Sequence, residues 1–486
     1  MEVEEKYREE ERFDLETVIN RQDETPCRGK MSGEEEFLTA CSVVRAVFDR
    51  EWDIIADDHS RNLRLEREKR AIIGYELEVG YYKERIRDIL RDNNMLRFHH
   101  PPWYPDLTEG VFAELYGLAG LAPWAYDMNE KYRRSSSAKL IGERMYCLID
   151  GRSELQPQRI TDQRREQLKR TLLLATPEER LETGFHEVYL HNGIRITIYS
   201  GSRTKEGEDI MVFRKYILRE LTFEEMIRMR TIPAGAAELF RCMVGIGFNV
   251  LFSGQVRSGK TTFLQTWQKY EDPTMEGLAI ATDPETPWHR IMPDAPIMQI
   301  IADGKDLSLL SRSLLRGDND YILLEEMRDA PAFRLALDIT STGTMRSKAT
   351  IHDNNAVNIP YKMASRIHEE FGGDLNAVIA QVYRNFDYCL EFCQHPEDRR
   401  QKIMTGITEF DYDAEKDQVT ATRICRYDFR TGTWRWNCHI SKNIMDKVPL
   451  ASELLQRMQA ILRVLEKENP LIGDLTVHPA YYRRRI

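Results

Sequence analysis

GQVRSGKT, at residues 254–261, fits the pattern GxxxxGK[ST] at every fixed position. The apolar run FNVLFS precedes it and TTFLQTWQKY follows, which predicts a short strand, a glycine-bounded loop and a helix. Such a loop turns successive backbone N–H groups inward, and the positive end of the helix adds to their pull on an anion. Gly254 and Gly259 free the backbone for conformations that a side chain would forbid. Between them, Gln255, Val256, Arg257 and Ser258 complete a cradle for phosphates. Lys260 is then placed to set its ammonium on the β- and γ-phosphates, and Thr261 to offer its hydroxyl to Mg²⁺, with Thr262 assisting at the helix start. ATP with Mg²⁺ is the ligand this arrangement anticipates. A chance glycine turn is the bland alternative, and the strand and helix flanks argue against it.

Hydrolysis of a nucleotide needs a group that orients water and a group that holds the metal. YILLEE, at 321–326, delivers two carboxylates, Glu325 and Glu326, at the end of an apolar run. GLAIATDPE brings Asp283 and Glu285 to the end of a second run, and KATIH ends a third at His352. Strands that each finish in a polar side chain build a site along the carboxyl edge of a parallel sheet. From about residue 233 strands and helices alternate, the mark of an α/β domain. Past residue 385 successive strands take over, and a last helix follows in ASELLQRMQAILRVLEKE.

Upstream, residues 1–32 are polar and acidic and read as an arm. Residues 33–104 carry apolar side chains at helical spacing, among them Phe37, Val44, Phe48, Ile72, Ile86 and Leu90. Residues 105–200 mix a helix in GVFAELYGLAGLAPW with strands, including a hairpin that turns at Asn192-Gly193, and predict a small α+β domain. Residues 201–232 form a linker containing a strand and a helix for which Thr222 is the candidate cap. The expected fold is therefore a RecA-like P-loop motor domain over 233–486, preceded by the α+β domain and the N-terminal helical region.

The formal net charge of −10 argues against general nucleic-acid binding, which needs an excess of Lys and Arg on some face. No stretch is apolar over enough residues to span a bilayer, and the acidic start has no signal-type apolar region, so a cytoplasmic chain is expected, meeting the inner face of the membrane only through partners. DYCLEFCQH places Cys389 and Cys393 four apart with His395 behind. On a strand, 389, 391, 393 and 395 share one face, and a fourth metal ligand at suitable spacing is missing, so packing is the expected role.

Several segments resemble the secretion-superfamily traffic ATPases of type II and type IV secretion and pilus assembly. LLRGDNDYILLEEMRDAPAFRLALDITSTG is similar to that family's LLRxxPDxIxxGExRDxExxxALxAxxTG segment, ATIHDNNAVN to its histidine box, and VFRKY with LTFEEMI to the lead into its motor domain. DRRQKIMTGITEF resembles its late arginine-rich strand pair, and GVFAELYGLAGLAPW with SSSAKLIGERMY looks closest to the branch serving tight-adherence (Flp-type) pili. The resemblance implies Glu326 as catalytic glutamate, with Arg328 and Asp329 completing its motif, Asp283 in the aspartate box, His352 in the histidine box, and Arg195 or Arg214 directed at a neighbour's γ-phosphate. It also implies a homo-oligomer, a hexamer, that does mechanical work on an inner-membrane platform protein. The chain departs from the pattern at Arg257, where the family favours glycine, at Thr282, at Glu325 and at Thr344. Two other readings stand beside this one: a DNA-translocating ATPase of conjugation type, and a nucleotide-binding scaffold that does not hydrolyse.

Overall fold

In the computed structural model of the chain the described residues are 32–55, 57–174, 184–217, 221–282, 286–302, 304–314, 319–447, 452–473 and 475–482. The acidic arm, apart from Ser32, and the aspartate-box residues Asp283 and Glu285 lie outside them. The chain divides into two compact units, one of Met1–Arg133, Ser137–Cys147 and Leu155–Lys215, the other of Arg134–Ser136, Leu148–Glu154 and Tyr216–Ile486.

The first unit opens with helices Gly33–Ile54, Asp58–Ile73 and Glu76–Asp92. Polar side chains start the first two: Ser32 and Glu35 form a capping box, and Asp57 accepts from the backbone N–H of Ser60. Of the apolar positions at helical spacing, Phe37, Val44, Phe48, Ile72, Ile86 and Leu90 are buried while Leu38, Leu77 and Tyr81 are exposed, and Phe48 and Tyr82 pack on Tyr116 of the following helix Leu107–Tyr116 at ring distances of 5.1 and 4.3 Å. Strands β1 (Ser137–Ile141), β2 (Arg144–Ile149), β3 (Arg152–Arg159), β4 (Phe185–Tyr189), β5 (Arg195–Tyr199) and β6 (Ile210–Arg214) make a sheet of order β3-β2-β1-β6-β5-β4. The β4–β5 hairpin turns at Asn192-Gly193, where Gly193 takes φ +80°.

The second unit begins at the helix Phe223–Arg228, which Thr222 caps through a capping box with Glu225. Its sheet contains β7 (Val250–Gly254), β8 (Gly277–Ala281), β9 (Ile297–Ile301), β10 (Tyr321–Met327), β11 (Lys348–Ile351), β12 (Tyr388–Gln394), β13 (Lys402–Asp413), β14 (Gln418–Asp428) and β15 (Thr433–Trp436), with the short β16 (Thr476–Val477) beside β14. The order is β15-β14-β13-β12-β7-β11-β10-β8-β9. Every pair from β12 to β9 is parallel, while β13, β14 and β15 extend the sheet in antiparallel fashion. Helices cover both faces, so each central strand must be apolar on both sides. On β7, Val250 and Phe252 enter one core with Phe263 and Trp267, and Leu251 enters the other with Leu324 and Phe333. That two-sided burial is why the strands read as continuous apolar runs rather than alternating ones. The α/β fold of RecA-like motor type expected over this region is the one observed. His395 falls just past the end of β12 rather than on the strand face with Cys389 and Cys393, and its ring nitrogen takes the backbone N–H of Glu397 at 3.2 Å.

A buried ion pair anchors the amino end of β11, whose carboxyl end leads to His352. Lys348 is fully buried and reaches Glu271 at 2.5 Å and the side-chain amide oxygen of Gln268 at 2.9 Å, while Arg346 meets the other oxygen of Glu271 at 2.6 Å. Burial pushes the Lys348 ammonium down to about 8 against the pull of Glu271. Removing one member of such a pair leaves an uncompensated buried charge. Glu271→Ala is therefore expected to lose about 3–5 kcal/mol in chemical denaturation. The double change Glu271→Leu with Lys348→Met is expected to recover most of that loss, since it removes the two fully buried charges and leaves Arg346, which is one-fifth exposed and also donates to the carbonyls of Val244 and Gly245. A single variant as stable as the parent would show that water reaches Lys348.

Candidate active site

The strand β7 ends at Gly254, and the residue there has no alternative. Its φ is +149°, and a Cβ would lie 2.1 Å from the carbonyl oxygen of Phe392 on the adjacent β12. The loop turns back at once, with the N–H of Ser258 on the carbonyl of Gln255 at 3.3 Å. Gly259, at φ +94°, sits in the left-handed region and starts the helix Lys260–Gln268. Arg257 also takes a left-handed φ of +63°, the conformation a glycine would adopt freely and one that costs an ordinary residue about 1–2 kcal/mol. The Gln394 side chain holds this turn by donating to the Arg257 carbonyl at 3.0 Å. Gln255, Val256 and Arg257 are exposed, Thr261 and Thr262 are half-buried, and Ser258 is fully buried with no hydrogen-bond partner for its hydroxyl among the described residues. A buried hydroxyl without a partner is costly unless a ligand completes it.

Lys260 is the centre of the arrangement. Its buried ammonium donates to the carbonyls of Gly254 at 2.9 Å and Gln255 at 2.8 Å, and lies 3.2 Å from Nδ1 of His352. Nδ1 also lies 3.3 Å from the Gly254 carbonyl oxygen; with an ammonium, which can only donate, it acts as the acceptor. The other ring nitrogen, Nε2, is 2.6 Å from Oε1 of Glu326, a carboxylate that can only accept. The second oxygen of Glu326 is paired with Arg328. Burial by itself would raise the Glu326 carboxyl, but hydrogen bonds from His352 and Arg328 outweigh it and hold the group down at about 2. Burial lowers the Lys260 ammonium to about 8, with Glu326 opposing the change. The carboxyl ends of β7, β11 and β10, neighbours in the sheet, thus contribute a donor, a relay ring and an ionised acceptor in one line.

Other residues singled out in the sequence fall elsewhere. Asp329 does not join the line; its side chain caps the helix Ala330–Ser341 by accepting from the N–H of Ala332 at 3.0 Å. Arg195 pairs with Glu187, and Arg214 is exposed at the end of β6, opposite Arg195 in the strand register of the first unit. Glu325, the residue before Glu326, faces away from His352 because neighbouring side chains on a strand point to opposite faces. It is buried and takes the indole N–H of Trp288 at 2.6 Å. Nothing in the spacing pointed to Trp288, which reaches Glu325 from 37 residues earlier. Among the described residues no group of three or more His, Cys, Asp or Glu side chains is arranged to hold a metal, and no helix is long and apolar enough to cross a membrane.

Residues 203–434 match the family described as "Type II/IV secretion system protein". A curated relative, "Probable conjugal transfer protein TrbB" of Sinorhizobium fredii (strain NBRC 101917 / NGR234), is 25% identical over 215 residues, 43% of this chain. The match spans 64% of the length of that relative. Solved structures that align with the chain include the VirB11 ATPase from the Brucella suis type IV secretion system, at 16% identity and TM-score 0.32 over 60% of this chain and 95% of that one. The pilus retraction motor PilT with bound ADP aligns at 15% identity and TM-score 0.43 over 72% of this chain and 94% of that one. The stretch that matches this family, residues 203–434, is the one that carries the loop, Glu326 and His352.

Proposed function

We propose that the chain is a Mg²⁺-dependent ATPase that converts hydrolysis into mechanical work on a secretion or pilus-assembly platform. One observation carries the reading: the buried Lys260 ammonium, the His352 ring and the ionised Glu326 stand in a hydrogen-bonded line at the mouth of a phosphate-type loop. Gly254 and Gly259 shape a cradle for the phosphates, and the buried hydroxyl of Ser258 is a donor awaiting an acceptor. Lys260 exchanges the loop carbonyls for phosphate oxygens. Glu326, kept ionised by its partners, accepts a proton from water and orients it, while His352 holds the carboxylate in place. Mg²⁺ supplies neutralisation of phosphate charge, and Thr261 with Glu326 would hold it. So small a protein donor set fits a metal that arrives on the nucleotide, since Mg²⁺ in such sites keeps few protein ligands.

The wider assignment is of the same kind. The mobile element of the work is proposed as a motor domain over 233–486 joined through 201–232 to the α+β domain over 105–200, with the helical region 33–104 and the arm 1–32 ahead of them. Asp283 is proposed to contact the nucleotide, and Arg214 to reach a neighbour's γ-phosphate in a hexameric homo-oligomer. The chain is proposed to work in the cytoplasm, on the inner face of the membrane, through an inner-membrane platform protein. A Flp-type pilus is one setting. The similarity to a conjugal transfer protein favours a conjugation-type system as the second, and there DNA would stimulate turnover.

Three outcomes follow from the line of side chains. Lys260→Ala is expected to abolish phosphate release while the thermal midpoint stays near that of the parent; normal turnover would remove the site from this function. Glu326→Gln is expected to cut kcat by about 100-fold or more while binding of a fluorescent ATP analogue changes little. As pH rises through about 8 the free chain loses the Lys260 proton, and a bound triphosphate favours the charged form. Affinity for ATP is therefore expected to fall above that pH, with proton uptake on binding. Calorimetry at pH 8–9 in buffers of different ionisation enthalpy measures the uptake, and a value of zero contradicts the placement of Lys260.

A further inference from the structure

A second carboxylate stands at the same edge of the sheet. Glu391 lies on β12, opposite Ser253 of β7 on one side and Gly406 of β13 on the other. It is the neighbour of the strand that ends in the phosphate-type loop. Its Oε1 accepts the backbone N–H of Ala356 at 2.9 Å. Ala356 closes the irregular segment that follows His352, so this bond ties the histidine's own loop to β12. Within that segment the ties are short-range: Asp353 takes the N–H groups of Asn354 and Asn355 at 2.8 and 3.1 Å, and Asn355 takes that of Val357 at 3.1 Å. From outside it, Lys362 donates to the His352 carbonyl, and the Tyr481 hydroxyl donates to the carbonyl of Val357.

The space for Glu391 is made on purpose by its cross-strand neighbour. A Cβ on Gly406 would sit 2.8 Å from Oε2 of Glu391 and 3.1 Å from the carbonyl oxygen of Cys425, so a side chain there would require the carboxylate to shift. The conformation of Gly406 does not itself require glycine, since its φ is not among the positive values. The close approach of the Glu391 carboxylate and of the Cys425 carbonyl oxygen favours it. Burial raises the Glu391 carboxyl, against the Ala356 N–H and the nearby Arg423 and Arg426 guanidiniums, with Asp353 acting in the same sense as burial. An acceptor oxygen, rather than a fixed negative charge, is what the Ala356 N–H requires.

We infer that Glu391 is a positioning residue for His352: seated over Gly406, it fixes the 352–356 loop through the Ala356 N–H and so holds the imidazole between Lys260 and Glu326. The inference rests on the ATPase reading for its catalytic consequence, but the loop contact can be tested without nucleotide. Glu391→Gln keeps an acceptor of the same reach, whereas Glu391→Ala removes it and Gly406→Val displaces it. In the full-length chain without nucleotide, hydrogen exchange at Ala356 is expected to accelerate about tenfold or more in Glu391→Ala and Gly406→Val and to stay near the parent rate in Glu391→Gln. In steady-state phosphate release, Glu391→Ala is expected to lower kcat by about 10- to 100-fold with KM within about threefold of the parent, and Glu391→Gln to retain most of kcat.

Protection of Ala356 that survives in Glu391→Ala overturns the inference. So does parental kcat in a variant that has lost that protection, or a Glu391→Gln variant as impaired as Glu391→Ala. If the parent itself releases no phosphate, the ATPase reading fails, and the exchange measurement alone decides whether Glu391 holds the loop.

Discussion

A buried ammonium surrounded by backbone carbonyls is the constraint on which this molecule is organised. Lys260 is taken out of water at the end of β7, and three acceptors replace its hydration: two loop carbonyls and the His352 ring. The cost of burial shows in the lowered proton affinity of the group. A charge kept on such terms has a strong preference for any anion that can offer more than a carbonyl dipole. The glycines, the left-handed turn at Arg257 and the partnerless Ser258 hydroxyl all shape the space where such an anion would lie. The opposite end of the line has the opposite design, since Glu326 is held ionised by two cationic or donating neighbours despite burial. A buried ammonium and a buried, ionised carboxylate face each other across the His352 ring.

The sheet explains why these groups meet. Parallel strands bring their carboxyl ends to one edge, and the strand order sets β7 directly between β11 and β12. His352 therefore meets Lys260 from 92 positions away and Glu326 from 26. The opposite edge is pinned by Lys348, Glu271 and Arg346, a charge cluster that secures β11 at its start. Displacement of that strand would carry His352 with it, so stability at one edge and geometry at the other are properties of the same four-residue strand.

Much of this was legible in the chain itself, and the reason differs by feature. The loop could be read because its pattern encodes backbone conformation: glycine where no Cβ fits, lysine and threonine where a helix begins. The hairpin at Asn192-Gly193 and the cap at Thr222 were equally local. Strand order was not legible, because the pairing of β1 with β6 or of β7 with β11 depends on contacts far apart in sequence. The two adjacent carboxylates, Glu325 and Glu326, looked alike as sequence; strand alternation separates them, one toward Trp288 and the other toward His352. Asp329 sat in a motif beside Glu326 yet serves as a helix cap. Glu391 gave no signal at all, since its partner N–H lies 35 residues earlier and its seat depends on the absence of a side chain at Gly406.

The most direct test of the account is the position of the Lys260 side chain in an experimental structure determined with a non-hydrolysable ATP analogue. The account predicts a triphosphate inside the 254–261 loop, with the ammonium turned from the carbonyls of Gly254 and Gln255 onto phosphate oxygens. An analogue bound elsewhere at saturating concentration, with Lys260 still on those carbonyls, would contradict it.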